Sequence, residues 1–348
     1  MTQPPQQEAP PGGMTACLAE QRTGLPGPSA KSRRAVAAPV PRREARSGRS
    51  IHRLFAEQAE AVPLFTAMVH AGKELRYREL NAQANRIARL LADRGAGRGQ
   101  FVALSAEPSP ELLAGLLGIL KSGAACLLDE SGTLTGGRSI PGFGGAAVGL
   151  AAPGRKEALS RGRAAGGTSW LALDDGLLTE GEAPEAVPAV SADDEALVVC
   201  RPTPLGTRVT RLTHGTLAEA CCREISAAGI TSSDSAAWLP GCGSAAFVRS
   251  ALPFLLAGAD VHLLGGELAD NPSALHRSLG GMSAAFLPEE ACAPLLAQGR
   301  LSLRLLYAGG PRWKRVELPA AGRTDEAGQT GCGRPASGTA AQPDVHAE

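Results

Sequence analysis

One glycine-rich segment has the spacing of a dinucleotide-binding turn. Gly142, Gly144 and Ala147 fit the pattern G-x-G-x-x-A. That pattern binds a dinucleotide only when a strand precedes it and a helix follows it. Residues 131–140 show no strand pattern, so we interpret residues 130–168 as a flexible glycine-rich loop rather than a cofactor site.

A second segment has the residue types of a nucleophile elbow. Gly241 and Gly243 surround a cysteine, and Ser244 follows directly. A nucleophile elbow needs the spacing G-x-S-x-G, because its serine sits on a sharp turn between a strand and a helix. The spacing here does not meet that pattern, so we reject a serine hydrolase. No catalytic residue is assigned from these motifs.

The cysteines and histidines do not form a recognisable metal site. The eight cysteines lack a Cys-x-x-Cys pair and lie mostly among apolar residues, at positions 17, 126, 200, 221, 222, 242, 292 and 332. Free cysteine in such surroundings behaves as a small hydrophobic residue. His52, His70, His262 and His276 have no partner at a useful spacing, so we expect core or surface roles for them. We therefore expect neither a zinc site nor a disulfide framework.

Composition limits the class of partner. The net charge of +1 gives no argument for nucleic acid or for an anionic membrane. No apolar run has the roughly 18 residues of a membrane helix, and the N-terminus lacks a signal-peptide pattern. We expect a soluble cytoplasmic protein.

Apolar periodicity predicts alternating strands and helices. Residues 51–61 and 80–91 have helical spacing, and residues 101–105 have the pattern of a strand. Ser109 followed by Pro110 starts another helix, because serine is a good N-cap and proline suits the first helical position. A buried strand follows that helix near residues 124–128. Strand, helix and strand in this order predict an α/β fold with mainly parallel sheets flanked by helices.

Later segments continue the α/β pattern. We predict strands at residues 169–174 and 196–200 and a helix over 217–228. Residues 1–50 and 318–348 lack an apolar period that could offset the entropy of ordering, so we expect a disordered leader and a disordered tail.

A dense series of motifs resembles one enzyme family. The markers, in order, are IHRLFAEQ at 51–58, LRYRELNAQANRIA at 75–88, FVAL at 101–104, SPELL at 109–113 and LKSGAA at 120–125. This series resembles the start of an amino-acid-activating adenylation domain of nonribosomal peptide synthetases. Further markers of the same family occur in order at 193–199, 213–217, 252–261 and 303–310. Residues 51–317 are thus identified as the N-terminal part of an AMP-binding adenylation domain.

The resemblance implies a fold, a reaction and cofactors. The fold would be the large N-terminal subdomain of the adenylate-forming enzymes without its C-terminal lid. The family reaction joins an amino acid to ATP, giving aminoacyl-AMP and pyrophosphate, and it uses magnesium. Other nonribosomal peptide synthetase components would be the partners.

The family's phosphate loop falls on residues 200–210, which read CRPTPLGTRVT. The family reads YTSGSTGxPKG there, because glycines let backbone N–H groups close on phosphates and lysine supplies charge. The resemblance leaves Thr203, Gly206 and Arg208 as nucleotide-binding positions. Pro202 and Pro204 each remove a backbone donor, so we expect an ordinary turn between strand and helix instead of a working loop.

Two more family positions are altered. The family's substrate aspartate, which pairs with the ammonium group of the amino acid, falls on Ser244, which carries no charge. The glycine pair Gly309 and Gly310 matches a nucleotide-binding marker, but Pro311 follows where glutamate is expected. The family's adenine motif and catalytic lid lysine do not follow. The sequence predicts a truncated, degenerate adenylation domain with weak or lost activity, or alternatively a non-catalytic scaffold.

Overall fold

Two mainly parallel β-sheets with helices packed against them form the core of the protein. The computed structural model describes residues 49–129, 146–161, 168–174, 190–203, 206–309, 313–316 and 318. The predicted leader up to residue 48, residues 130–145 and 162–167 of the glycine-rich segment, Gly310 and the tail from residue 319 lie outside these residues. Within that segment the prediction of a loop is wrong for Val148–Ala151, which form a buried strand, and for Pro153–Arg161, which form a helix with proline at its first position.

The first sheet has seven strands: β1 Thr66–His70, β2 Lys73–Arg76, β9 Ser235–Trp238, β10 Asp260–Leu263, β11 Ala284–Pro288, β12 Leu305–Gly309 and β13 Lys314–Val316. Their spatial order is β13-β12-β11-β9-β10-β1-β2. The five inner strands are parallel, and the two edge strands β2 and β13 are antiparallel to their neighbours.

The second sheet has six strands: β3 Phe101–Ser105, β4 Ala125–Asp129, β5 Val148–Ala151, β6 Ser169–Ala172, β7 Glu195–Thr203 and β8 Gly206–Thr213. Their spatial order is β6-β5-β3-β4-β7-β8, and only the pair of β7 with β8 is antiparallel. The α/β prediction with mainly parallel sheets is confirmed.

The helices of the described residues are α1 Ile51–Ala61, α2 Tyr77–Ala92, α3 Pro110–Lys121, α4 Pro153–Arg161, α5 His214–Ala228, α6 Ser244–Ala257, α7 Pro272–Ser278 and α8 Glu289–Leu296, with a 3₁₀ helix at Gly266–Asp270. Helix α3 begins as the sequence predicts, because the Ser109 side chain accepts a hydrogen bond from the Leu112 N–H. Helix α5 begins at His214, three residues before its predicted start, because Thr213 caps it.

The segment between β7 and α5 differs from the prediction. We expected a turn that led from a strand at 196–200 directly to a helix, but the chain instead forms a β-hairpin. Strand β8 was missed because residues 207–213 alternate polar and apolar side chains weakly, as suits an edge strand that pairs only with β7 among the described strands. The hairpin determines the geometry of the candidate nucleotide site.

Tyr77 joins the start of α2 to the end of α6. Its ring is fully buried, and its hydroxyl oxygen lies 2.9 Å from the Leu255 carbonyl and 2.7 Å from the Ala259 carbonyl. Burial is the main cause that raises the pKa of this hydroxyl well above its usual value, so it remains a donor.

Replacing Tyr77 by phenylalanine should lower the free energy of unfolding by about 1–3 kcal/mol, because two buried carbonyl groups lose a donor. Chemical denaturation of the variant and the parent measures this difference. Tyr307→Phe is the control: its hydroxyl contacts the half-buried Glu224 carboxylate at 2.6 Å, which water can solvate, so its effect should be smaller. A Tyr77→Phe protein as stable as the parent would contradict the assigned role.

Candidate functional site

The β7–β8 hairpin carries the predicted phosphate-binding residues. The register pairs Thr203 with Gly206 and Pro202 with Thr207, so only two residues, Pro204 and Leu205, lie between the strands in the chain. Gly206 is therefore a strand residue paired across the hairpin, not part of an open glycine-rich loop. A phosphate cradle needs several consecutive backbone N–H groups that converge on one point.

Arg208 lies on the exposed face of β8. Its Cα partner across the hairpin is Arg201, so two guanidinium-bearing residues stand directly opposite each other. Like charges in directly opposed positions destabilise a strand pair. Further along the hairpin, Arg211 instead forms an ion pair with Glu195, with 3.1 Å between Nε and Oε1. Arg208, the residue predicted to supply positive charge to a phosphate, is thus exposed near the end of the hairpin.

Ser244 is the first residue of α6, and it is buried. The preceding residue, Gly243, has a φ of 82°, which favours glycine and turns the chain from β9 into the helix. The Ser244 hydroxyl donates a hydrogen bond of 2.7 Å to the carbonyl of Ala106, which follows β3 of the second sheet. The side chain at the position of the family aspartate therefore links α6 to the second sheet and has already used its only proton.

Gly309 ends β12, and the indole ring of Trp313 lies against it. A Cβ atom built on Gly309 would overlap the six-membered ring of Trp313. The indole Nε1 faces the carbonyl of Ala246 in the first turn of α6, at 3.4 Å. The ring also meets Phe286 edge to face, with 5.2 Å between centroids, and Phe286 stacks on Tyr307 at 4.6 Å. The structure thus brings Gly309 close to the start of α6.

The predicted site residues fall in two places. Thr203, Gly206 and Arg208 lie on the edge hairpin of the second sheet, whereas Gly309 and Ser244 lie at the carboxyl ends of strands of the first sheet. Gly310 lies outside the described residues. Carboxyl ends of parallel strands are where α/β folds bind ligands, so the second place has the more favourable position.

A pair of buried histidines was not predicted as a unit. The rings of His52 and His214 lie 5.3 Å apart between α1 and α5, in an edge-to-face arrangement, and both residues are fully buried. Burial, followed by the nearby His214, lowers the pKa of His52 to about 3. Burial lowers the pKa of His214 to about 4, although Asp194 opposes this shift. A separation of 162 positions in the chain explains why spacing could not reveal the pair.

Two buried thiols are disfavoured as nucleophiles, and the described residues contain no metal-binding cluster. Burial raises the pKa of the Cys200 and Cys292 thiols to about 11, which disfavours the nucleophilic thiolate. Among the described residues, no group of three or more His, Cys, Asp or Glu side chains is arranged to hold a metal ion. No helix in the described ranges is long and apolar enough to cross a bilayer.

Comparison with known proteins places this fold among AMP-binding enzymes. Residues 55–129 match the family described as AMP-binding enzyme. The chain is 28% identical to bacitracin synthase 1 of Bacillus licheniformis over 269 residues, which cover 76% of this chain and 5% of that protein. It is 51% identical to surfactin synthase subunit 3 of Bacillus subtilis (strain 168) over 73 residues, which cover 21% of this chain and 6% of that protein. The chain therefore spans a small part of the curated relatives it matches.

Solved structures share the fold. The nonribosomal peptide synthetase FmoA3 in its AMPPNP-bound form has a TM-score of 0.61 at 24% identity, covering 77% of this chain and 28% of that one. The N-terminal subdomain of Klebsiella oxytoca NpsA, in complex with 3-hydroxybenzoyl-AMSN, has a TM-score of 0.57 at 16% identity, covering 82% of this chain and 79% of that one. At these identities the likeness supports the fold alone.

Proposed function

We propose that this chain, an adenylation-type member of the AMP-binding enzymes with nonribosomal peptide synthetases as its relatives, retains the adenylation scaffold but activates amino acids weakly or not at all. Its role would be that of a non-catalytic component that binds other parts of a peptide-synthesising system. The observation that carries this proposal is the register of the β7–β8 hairpin, which pairs Thr203 with Gly206.

By its sequence, the hairpin offers ATP few backbone N–H donors. A two-residue connection leaves no run of glycines, and Pro202 and Pro204 contribute no N–H group. If about three charge-assisted phosphate bonds are lost at about 1.5–3 kcal/mol each, ATP affinity falls by about three to six powers of ten. The residues at this hairpin therefore do not fit the ATP and magnesium that the family uses.

The first sheet supports the same conclusion independently. Ser244 supplies no negative charge for an ammonium group, and its proton is donated to the Ala106 carbonyl. Removing one member of a buried charge pair costs about 2–5 kcal/mol. The nucleotide-binding position Gly309 is covered by Trp313. Three altered positions act on one reaction, so their effects combine.

The competing function is the family reaction itself, in which the amino-acid carboxylate attacks the α-phosphate of ATP and pyrophosphate leaves. Gly206 and the exposed Arg208 at the hairpin favour it, because a glycine and a cation are two parts of a phosphate site. Arginine would replace the family's lysine with a different geometry. Neither residue supplies the missing backbone donors.

Amino-acid-dependent ATP–pyrophosphate exchange tests the choice between these functions. We expect no exchange above background with any of the common amino acids, and an active adenylation domain assayed in parallel provides the control. Exchange at an ordinary enzyme rate of about 1 s⁻¹ or faster would support the family reaction and refute the non-catalytic proposal.

A further inference from the structure

A cavity of about 440 Å³ lies at the amino end of β12, and its lining residues are Arg304, Arg315, Val316 and Leu318. Arg304 directly precedes β12, and β13 runs antiparallel to β12, so Val316 and Leu318 return to the end of the strand where Arg304 lies. Gly309 lies at the other end of β12, about 16 Å from Arg304 along an extended strand. The cavity is therefore separate from the candidate nucleotide and amino-acid positions.

Arg304 is a firmly held cation on one side of the cavity. Its Nη2 donates to Oδ2 of Asp234 at 2.9 Å, and its Nη1 donates to the carbonyl of Ala228, the last residue of α5. The Asp234 side chain is only 8% exposed, whereas 42% of the Arg304 side chain remains exposed. The ion pair thus fixes the guanidinium group without covering it, and N–H groups remain for a further acceptor.

Arg315 adds a second guanidinium group. Its Cα partner in β12 is Tyr307, so the two side chains project from the same face of the sheet. The Tyr307 hydroxyl donates to Glu224 at 2.6 Å, which engages one oxygen of that carboxylate, and among the described residues Arg315 forms no ion pair. Burial is the largest cause that raises the pKa of the Tyr307 hydroxyl, and Arg315 and Arg304 both oppose the rise. Both cations therefore act on one oxygen atom.

Val316 and Leu318 give the cavity an apolar wall. Both side chains are partly buried and pack against a cluster of buried apolar residues that includes Leu303 and Leu306. A cavity of several hundred cubic ångströms with apolar lining and a few well-placed polar groups is the usual form of a small-molecule site. One wall here carries two positive charges, and the other carries none.

We propose that this cavity binds a small amphipathic anion, in which an oxyanion such as a carboxylate or a phosphate is joined to a short apolar chain. The two guanidinium groups offer charge-assisted hydrogen bonds to the oxyanion, and Val316 and Leu318 bury the chain. The inference does not depend on the proposed loss of adenylation, because the cavity includes no residue of the β7–β8 hairpin and neither Ser244 nor Gly309.

Titration of the intact protein with matched probes tests the site, and calorimetry or ligand-observed NMR measures the dissociation constants. Hexanoate and hexyl phosphate carry the two oxyanions on similar chains, hexanol lacks the charge, and inorganic phosphate lacks the chain. We expect the preferred anion to bind one to one, at least about tenfold more tightly than hexanol or inorganic phosphate. A preference for hexyl phosphate would identify the head group as a phosphate, and a preference for hexanoate would identify it as a carboxylate. Hexanol that binds as tightly as the anions, or no saturable binding of either anion, would overturn the proposal.

Single substitutions locate the bound anion. Arg315→Gln should weaken binding of the preferred anion at least about tenfold, and Leu318→Ala should weaken it about threefold or more. Arg89→Gln is the matched control, because the Arg89 side chain is 60% exposed on α2, and it should leave the dissociation constant unchanged. Equal binding by Arg315→Gln and the parent would refute the proposal, and so would a loss of binding in Arg208→Gln, which would place the anion at the β7–β8 hairpin. If Arg315→Gln does not fold, the comparison of hexanol with the anions in the parent protein still decides.

Discussion

Acidification from pH 7 to pH 4 should strongly destabilise this protein through His52 and His214. Both rings are neutral in the folded state because burial lowers their pKa values, to about 3 and about 4, from the ordinary 6.5. The unfolded chain therefore takes up protons first as the pH falls. The contribution of these two rings to stability is constant above about pH 7, decreases below about 6.5, and continues to decrease until the folded pKa values are reached.

The size of this effect follows from the linkage relation. Each histidine contributes a slope of about 1.4 kcal/mol per pH unit between its two pKa values, so the pair can remove several kcal/mol. The charged neighbours Lys121 and Arg53 add to the penalty on His52, whereas Asp194 reduces the penalty on His214. Protonation of either ring also places a charge beside the other.

Denaturant unfolding at a series of pH values measures the prediction. The parent protein should lose stability between pH 6.5 and pH 4, and His52→Gln should have a flatter profile over that range. His276→Gln is the control, because its ring lies at the surface, where Nε2 contacts the Arg300 carbonyl, and it should leave the profile unchanged. Parallel profiles for His52→Gln and the parent would contradict the buried pair.

Valine in place of Gly118 should destabilise the protein by about 3 kcal/mol or more, because the site has no room for a side chain. A Cβ atom there would lie 2.5 Å from both Cβ and Cγ2 of Ile87 and 3.0 Å from the Ala84 carbonyl. These contacts lie where α2 crosses α3, and Ile87 is fully buried. The backbone of Gly118 is an ordinary helical one, so the cost arises from packing and not from an unusual φ angle.

Two variants separate packing from helix propensity in the unfolding measurement. Gly154→Ala, in the first turn of α4 with nothing near its added Cβ atom, should be neutral or stabilising by up to about 1 kcal/mol. Ile87→Ala combined with Gly118→Val should recover part of the loss, because it removes the atoms that the valine meets. Equal destabilisation by Gly118→Val and Gly154→Ala would show that the helix crossing is not tight.

The sequence predicted the scaffold well because its local signals agree. Helix α3 shows this: the Ser109 cap, Pro110 and the apolar run after it all favour one helix, and the structure confirms it. The order of strand, helix and strand around α3 then predicts parallel pairing, which β3 and β4 show. The family resemblance extended this prediction to both sheets.

The candidate sites were less predictable because their geometry depends on residues far apart in the chain. Nothing near Ser244 indicates that its hydroxyl donates to Ala106, 138 positions earlier. Nothing in the local pattern places His52 against His214. Trp313 followed a glycine pair in the sequence, but only the pairing of β13 with β12 shows that its ring covers Gly309. The β7–β8 hairpin was missed because β8 has a weak apolar pattern.

The most direct test of the proposed loss of function is a calorimetric titration of the intact protein with ATP and magnesium. A variant in which residues 200–210 are replaced by the family loop YTSGSTGxPKG should be titrated beside it, together with the same loop carrying alanine for its lysine. We expect the parent to bind ATP with a dissociation constant of about 1 mM or weaker, and the rebuilt loop to bind it at least about a thousandfold more tightly. The lysine-free loop should lie between them. A micromolar dissociation constant for the unmodified protein would contradict the account, because the two-residue connection between Thr203 and Gly206 would then suffice to hold the phosphates.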